Sequence, residues 1–176
     1  MINKFKTLHP VIKLIVAVTL FILVGFLVTN IATYFLERQV DEEDIAYAEW
    51  YDGTFSEMND LISEVQSIYD NISSYPDTHI DLTSYRRMKV HLHALSDEMV
   101  NYPKPHNRIL KEAHKHYVKE SIHALQALDG LDEYVDNRQY FSSGPSNFLD
   151  NMLKANTYGM KAGGLVYDFR DINNEW

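Results

Sequence analysis

Cysteine is missing from this 176-residue chain, which rules out disulfides, thiolate metal ligands and any cysteine-borne lipid. Basic charge is in short supply. Sixteen Lys and Arg stand against 25 Asp and Glu, a formal net charge of −9. A nucleic-acid partner would need clustered cations to displace phosphate counterions, so none is expected. There is no Gly-rich phosphate loop, no nucleophile elbow and no His-Glu-x-x-His motif. Carboxylates are plentiful but scattered, and the run Asp41-Glu42-Glu43-Asp44 has the composition of a solvated face. No reaction and no cofactor can be read from such a chain, and a non-enzymatic protein is expected.

Between Leu14 and Leu36 the missing feature is charge of either sign. At ~1.5 Å per residue this run reaches roughly 34 Å, enough for a hydrocarbon core of ~30 Å. Lys4, Lys6 and Lys13 precede it without an acid, whereas every Asp and Glu follows it. That asymmetry predicts a cytoplasmic N-terminus, with Tyr34 and Phe35 at an outer aromatic belt. A cleaved signal peptide would have a shorter apolar core and a small-x-small site, and Asn30-Ile31-Ala32 is a poor one. The expected layout is a cytoplasmic tail at 1–13, a retained transmembrane helix at 14–36 that embeds in the bilayer, and the rest in the extracytoplasmic space. Within the span, Gly25, Thr29 and Thr33 form a ridge of small residues with Asn30 beside it. Such a ridge suits association with another helix, although Asn30 and Thr33 lie near the outer end, where water reaches a plain anchor too.

Four later segments repeat apolar residues at steps of three and four, which predicts amphipathic helices. The first carries Tyr51, Phe55, Met58, Ile62, Val65, Tyr69 and Ile72, and the second Tyr85, Met88, Leu92, Leu95, Met99 and Tyr102. The third runs Leu110, His114, Tyr117, Ser121, Ala124, Leu128, Leu131 and Val135. The fourth runs Phe148, Met152, Ala155, Gly159, Ala162, Val166 and Phe169. Breakers lie between them, and Pro105 and Pro145 suit first helical turns. Short connections make sequential helices antiparallel, so the expected fold is all-α: a transmembrane helix followed by an up-down four-helix bundle over 54–176. An extended coiled coil is the lesser alternative.

Residues 37–53 are expected to be an acidic helical spacer next to the membrane. A kink or fresh start is expected near Gly53, where Thr54 and Glu57 have capping-box spacing. The small face of the fourth helix, Ala155, Gly159, Ala162 and Gly163, implies either close approach by a neighbour, with Tyr117 or Tyr69 the candidates opposite, or a groove for a ligand. Trp50, Tyr51, Tyr167, Phe169 and Trp176 are expected to gather at one end of the bundle.

Four histidines crowd into residues 105–125. His106 and His114 are ~12 Å apart along a helix, and His114 and His116 point ~200° apart, so one helix cannot gather them. Folding the second and third helices together could bring His91 or His93 near His114 or His116, with Glu112 or Glu120 as further ligands of a metal or proton-sensing cluster. Glu120 and His123 have the Glu-x-x-His spacing of di-iron bundles, which need a second such motif that this chain lacks. The preferred reading leaves these histidines on solvated faces or as polar core neighbours, with no metal.

The third helix reads "PKPHNRILKEAHKHYVKESIHAL". With the N-terminal anchor, it resembles a set of uncharacterised small membrane-anchored extracytoplasmic helical-bundle proteins of Gram-positive bacteria. Many of those carry a lipid-modified cysteine, which this chain lacks. The resemblance implies a place outside the membrane and transfers no functional residue. A non-catalytic single-pass membrane protein is expected, its bundle a protein-interaction or accessory module that binds a partner or itself. Tyr47, Tyr75, Tyr134 and Tyr140 are candidates for an exposed contact surface. The alternative is a ligand-, metal- or pH-sensing bundle signalling through a membrane partner.

Overall fold

A long apolar segment satisfies its backbone polar groups along its own axis, and the first helix, α1 (Pro10–Glu37), does so without interruption. Its polar side chains also bond inward. Thr19 Oγ1 donates to Ile15 O at 2.9 Å, Thr29 Oγ1 to Gly25 O at 2.8 Å, and Asn30 Nδ2 to Phe26 O at 2.8 Å. The stretch Leu14–Thr33 is long and apolar enough to cross a membrane, and none of it is buried within the protein. The computed structural model describes residues 10–37, 40–74, 80–136 and 146–173. Lys4, Lys6, Tyr75, Tyr140, Pro145 and Trp176, and the side chains of Lys13, Tyr34 and Tyr134, lie outside the described residues and side chains.

The chain divides into two compact units between Gln39 and Val40. The second contains α2 (Glu42–Ser74), α3 (Leu82–Asn101), α4 (Arg108–Asp136) and α5 (Ser146–Asn173). The described residues are thus all-α, with five helices and no strand.

Local chemistry sets the helix ends. Asp41 accepts from the Asp44 N–H at 2.9 Å, and Glu42, Glu43 and Asp44 place negative charge at the positive end of α2. Asp81 caps α3 through Thr83 N and Ser84 N. Tyr102 ends α3 in an extended conformation because Pro103 excludes the helical one. Asn107 Oδ1 accepts from Ile109 N at 2.8 Å at the start of α4, so Pro105 precedes this helix rather than opening it. Asp44 reaches across from α2 to accept from His106 N at 2.7 Å and Asn107 N at 2.8 Å.

The helix break expected at Gly53 does not occur, and α2 runs through it. Thr54 does not cap a new helix. Its hydroxyl donates back to Trp50 O at 2.9 Å. The reason is tertiary. Tyr47, Ala48 and Tyr51 are all buried upstream of the glycine, and their burial outweighs the ~1 kcal/mol that a glycine costs in a helix. Residues 42–53 therefore lie inside α2 and inside the second unit.

The four apolar stripes become the core, with Met58, Leu92, Leu110, Tyr117, Leu128 and Phe148 fully enclosed. Specific contacts join the helices. Trp50 Nε1 donates to Glu98 at 2.7 Å, and Tyr85 and Lys89 both engage Asp132. Tyr69 stacks on Phe148 with centroids 4.2 Å apart, and Arg170 donates to Ala48 O at 3.1 Å and Asp52 at 2.5 Å. Helix α4 touches the other three helices of the unit, and α5 lies longest against it.

Candidate functional site

Along α4, Ala113, Glu120 and Ala127 recur every seven residues and are all fully buried. Two alanines on this line allow α5 to approach closely, and Glu120 then meets it at Gly159. A Cβ built on Gly159 would lie 2.7 Å from Glu120 Cδ and 3.0 Å from Oε2, with Oε1 closer still. A side chain at this position would force the carboxyl to shift from where it stands. This is the close approach expected of the small face of α5, with a carboxyl rather than Tyr117 or Tyr69 opposite. One turn further, Gly163 faces the Tyr51 hydroxyl, at 3.5 Å from its own Cβ position.

The electrostatics here are those of burial without compensation. Among the described residues neither oxygen of Glu120 has a hydrogen-bond partner, nor does the Tyr51 hydroxyl. Burial alone pushes the Glu120 carboxyl up from 4.5 to about 8, so it is mainly neutral at pH 7. Burial, with Glu120 nearby, likewise raises the phenol of Tyr51. The phenol of Tyr117 is raised by burial, with Thr54 pulling the other way.

Aromatic rings close the surroundings. Tyr51 and Tyr117 meet edge to face at 4.7 Å, Phe55 stacks on Tyr51 at 5.1 Å, and Trp50 stacks on Tyr102 at 3.8 Å. Such a site can hold or release a proton, and it presents no convergent set of ligands for a metal.

The histidines take separate partners. His91 pairs with Glu57, and His93 is exposed. His114 is buried with its Nδ1 3.3 Å from the Tyr47 hydroxyl, and burial and then Lys104 lower its pKa. His116 lies 3.8 Å from Glu112 and stacks on Tyr158 at 5.6 Å, and His123 bonds Asn151 at 3.1 Å. Lys119 and Lys161 each lie over the Tyr158 ring. No group of three His, Asp or Glu that could hold a metal gathers among the described residues. Glu120 and His123 face different partners, despite their di-iron spacing.

Two aromatic expectations are corrected. Tyr47, read as a candidate for the surface, is 1% exposed, because it fills the space between Trp50, Tyr102 and His114. Tyr167, expected to gather with Tyr51 and Phe169, is 70% exposed whereas those two are buried. It continues a second apolar stripe along α5: Leu149 is 51%, Leu153 67% and Met160 73% exposed. At ~100° per residue these four side chains fall within an arc of about 40°, roughly 120° round the helix from its buried face. Gly25, in the ridge expected for association of α1, has open space at its Cβ position, and Thr29 and Asn30 are exposed.

No protein-family model, curated protein or solved structure matches this chain.

Proposed function

We propose that this chain is a non-catalytic, single-pass membrane protein. In this reading α1 crosses the membrane with the N-terminus in the cytoplasm. Helices α2 to α5 then form an up-down four-helix bundle outside it, a protein-interaction module that docks a helix of a partner protein. The topology is supported by contacts that pair early residues of one helix with late residues of the next, such as Trp50 with Glu98 and Tyr85 with Asp132. The orientation is supported by the lysines before the apolar run and the acids after it.

The observation that carries the interaction role is the outer stripe of α5. Leu153, Met160 and Tyr167 are seven residues apart, with Leu149 four before them, and all four are exposed. A heptad seam of this kind accepts the knobs of another helix, and an apolar face left open on a soluble surface marks a contact site. The small ridge Gly25, Thr29, Asn30 and Thr33 would let the partner, or a second copy, also associate in the membrane.

The test is photocrosslinking in cell membranes from residues 153 and 160 of the full chain, with exposed Glu64 of α2 as control. Crosslinks from α5 to one discrete protein, lost when Leu149 and Tyr167 are changed to Glu, are the expected result. Crosslinks to lipid alone, or equal yields from Glu64, would sink the reading. A sensing role is the second reading, and the unpartnered Glu120 carboxyl favours it.

A further inference from the structure

A fully buried carboxyl with neither oxygen bonded demands an explanation, because native interiors rarely leave such groups unpaired. Among the described residues no neighbour hydrogen-bonds the Glu120 carboxyl. Helix α2 offers the Tyr51 hydroxyl and the Phe55 ring, and α4 offers Tyr117 one turn earlier. Helix α5 offers Gly159 and Gly163, which have no side chains. On α3, Ser96 is engaged with Ser121 and Glu98 accepts from Trp50. Among the described residues no cation acts on the carboxyl, and burial is the one influence on it.

The Glu120 carboxyl also packs directly against α5 at Gly159. Gly159 accommodates the neutral group in contact with its own Cα, and water has no place between them. A negative charge confined there could be relieved only if α5 moved away and let solvent in.

We propose that Glu120 is a proton-operated latch on α5: with the carboxyl protonated, the glycine face of α5 seats on α4, and loss of the proton frees that helix. The latch rests on the interaction reading in one respect, that the freed helix is the one bearing the outer stripe, so the proton would regulate how that stripe is offered to its partner. The closed state holds the proton up to about pH 8, whereas an open, solvated Glu120 loses it near 4.5. The stabilisation is therefore fully present below 4.5 and is lost progressively as pH rises to about 8. Opening of α5 should rise roughly tenfold per pH unit across that window and level off above it.

Hydrogen exchange of the full chain in lipid nanodiscs, from pH 5 to pH 9 and corrected for intrinsic exchange, reads the latch directly. The α5 amides should open roughly four-hundredfold more readily at pH 8 than at pH 5. Glu120→Gln, of the same shape but with no proton to lose, should hold one opening constant throughout. A flat wild-type profile, or a Gln variant with the wild-type slope, would overturn the proposal. If Glu120→Gln does not fold, carboxyl NMR of the wild type decides: titration near pH 8 supports the latch and titration near 4.5 overturns it. Photocrosslinking from residue 153 across the same range separates the two readings. A pH-dependent opening with no crosslink at any pH would leave the latch standing and remove the interaction role.

Discussion

A histidine set between acids is stabilising over a limited pH range, and His106 is such a residue. Its Nδ1 lies 2.7 Å from Asp41, and its Nε2 lies 3.4 Å from Glu43. The hydrogen bond to Asp41 is the main influence raising the imidazole above its ordinary 6.5. The same bond holds Asp41 below its ordinary 3.8. The histidine's contribution is full below 6.5 and is lost as pH rises through its raised value. The aspartate's contribution is present above 3.8 and is lost as pH falls through its depressed value. The pair therefore stabilises most between these limits. In thermal melts, His106→Ala should lower Tm more at pH 5.5 than at pH 8.5. A difference that stays constant between the two would show that the contact adds nothing. The sequence could not reveal this partnership, because Asp41 and His106 are brought together only when the start of α2 meets the approach to α4.

Among the helices, periodicity was the legible part. Every residue of the stripe Leu110 to Leu131 is buried, and so is every residue from Phe148 to Phe169 on its own stripe. Two other features depend on partners and could not be read from one helix at a time. The first is continuity through Gly53, which is set by burial of Tyr47, Ala48 and Tyr51. The second is Glu120, which sits one residue off the assigned stripe. The alanines seven residues to either side were the available signal that a close-packed seam ran there. Glycine substitutions separate the two situations. Gly53 has nothing within 4 Å of its Cβ position, so Gly53→Ala should stabilise an unbroken α2 by ~1 kcal/mol. Gly159→Ala drives a methyl into Glu120 and should destabilise by about 1–3 kcal/mol despite the better helix propensity. Chemical denaturation of both variants reads the signs, and a destabilised Gly53→Ala would mean that α2 is interrupted there after all.

At the scale of the whole chain, two kinds of helix sit in one sequence. Helix α1 is apolar all round and exposes Phe21, Phe26 and Leu14 to at least 66%, which water would disfavour strongly. Helices α2 to α5 bury one face each and turn charge outward, and the polar contacts at Asp44, Asp132 and Arg170 all join members of that same set. The division between Gln39 and Val40 thus separates a helix that is apolar all round from a set of helices that enclose a core of their own. Residues 40–176 expressed alone should remain soluble and helical and unfold in one cooperative transition, because they form a compact unit with a hydrophobic core of its own. The full chain should sediment with membranes and require detergent for release. If the shortened chain aggregates or melts without a transition, the second unit draws stability from α1. If the full chain stays soluble without detergent, α1 is covered by something other than lipid.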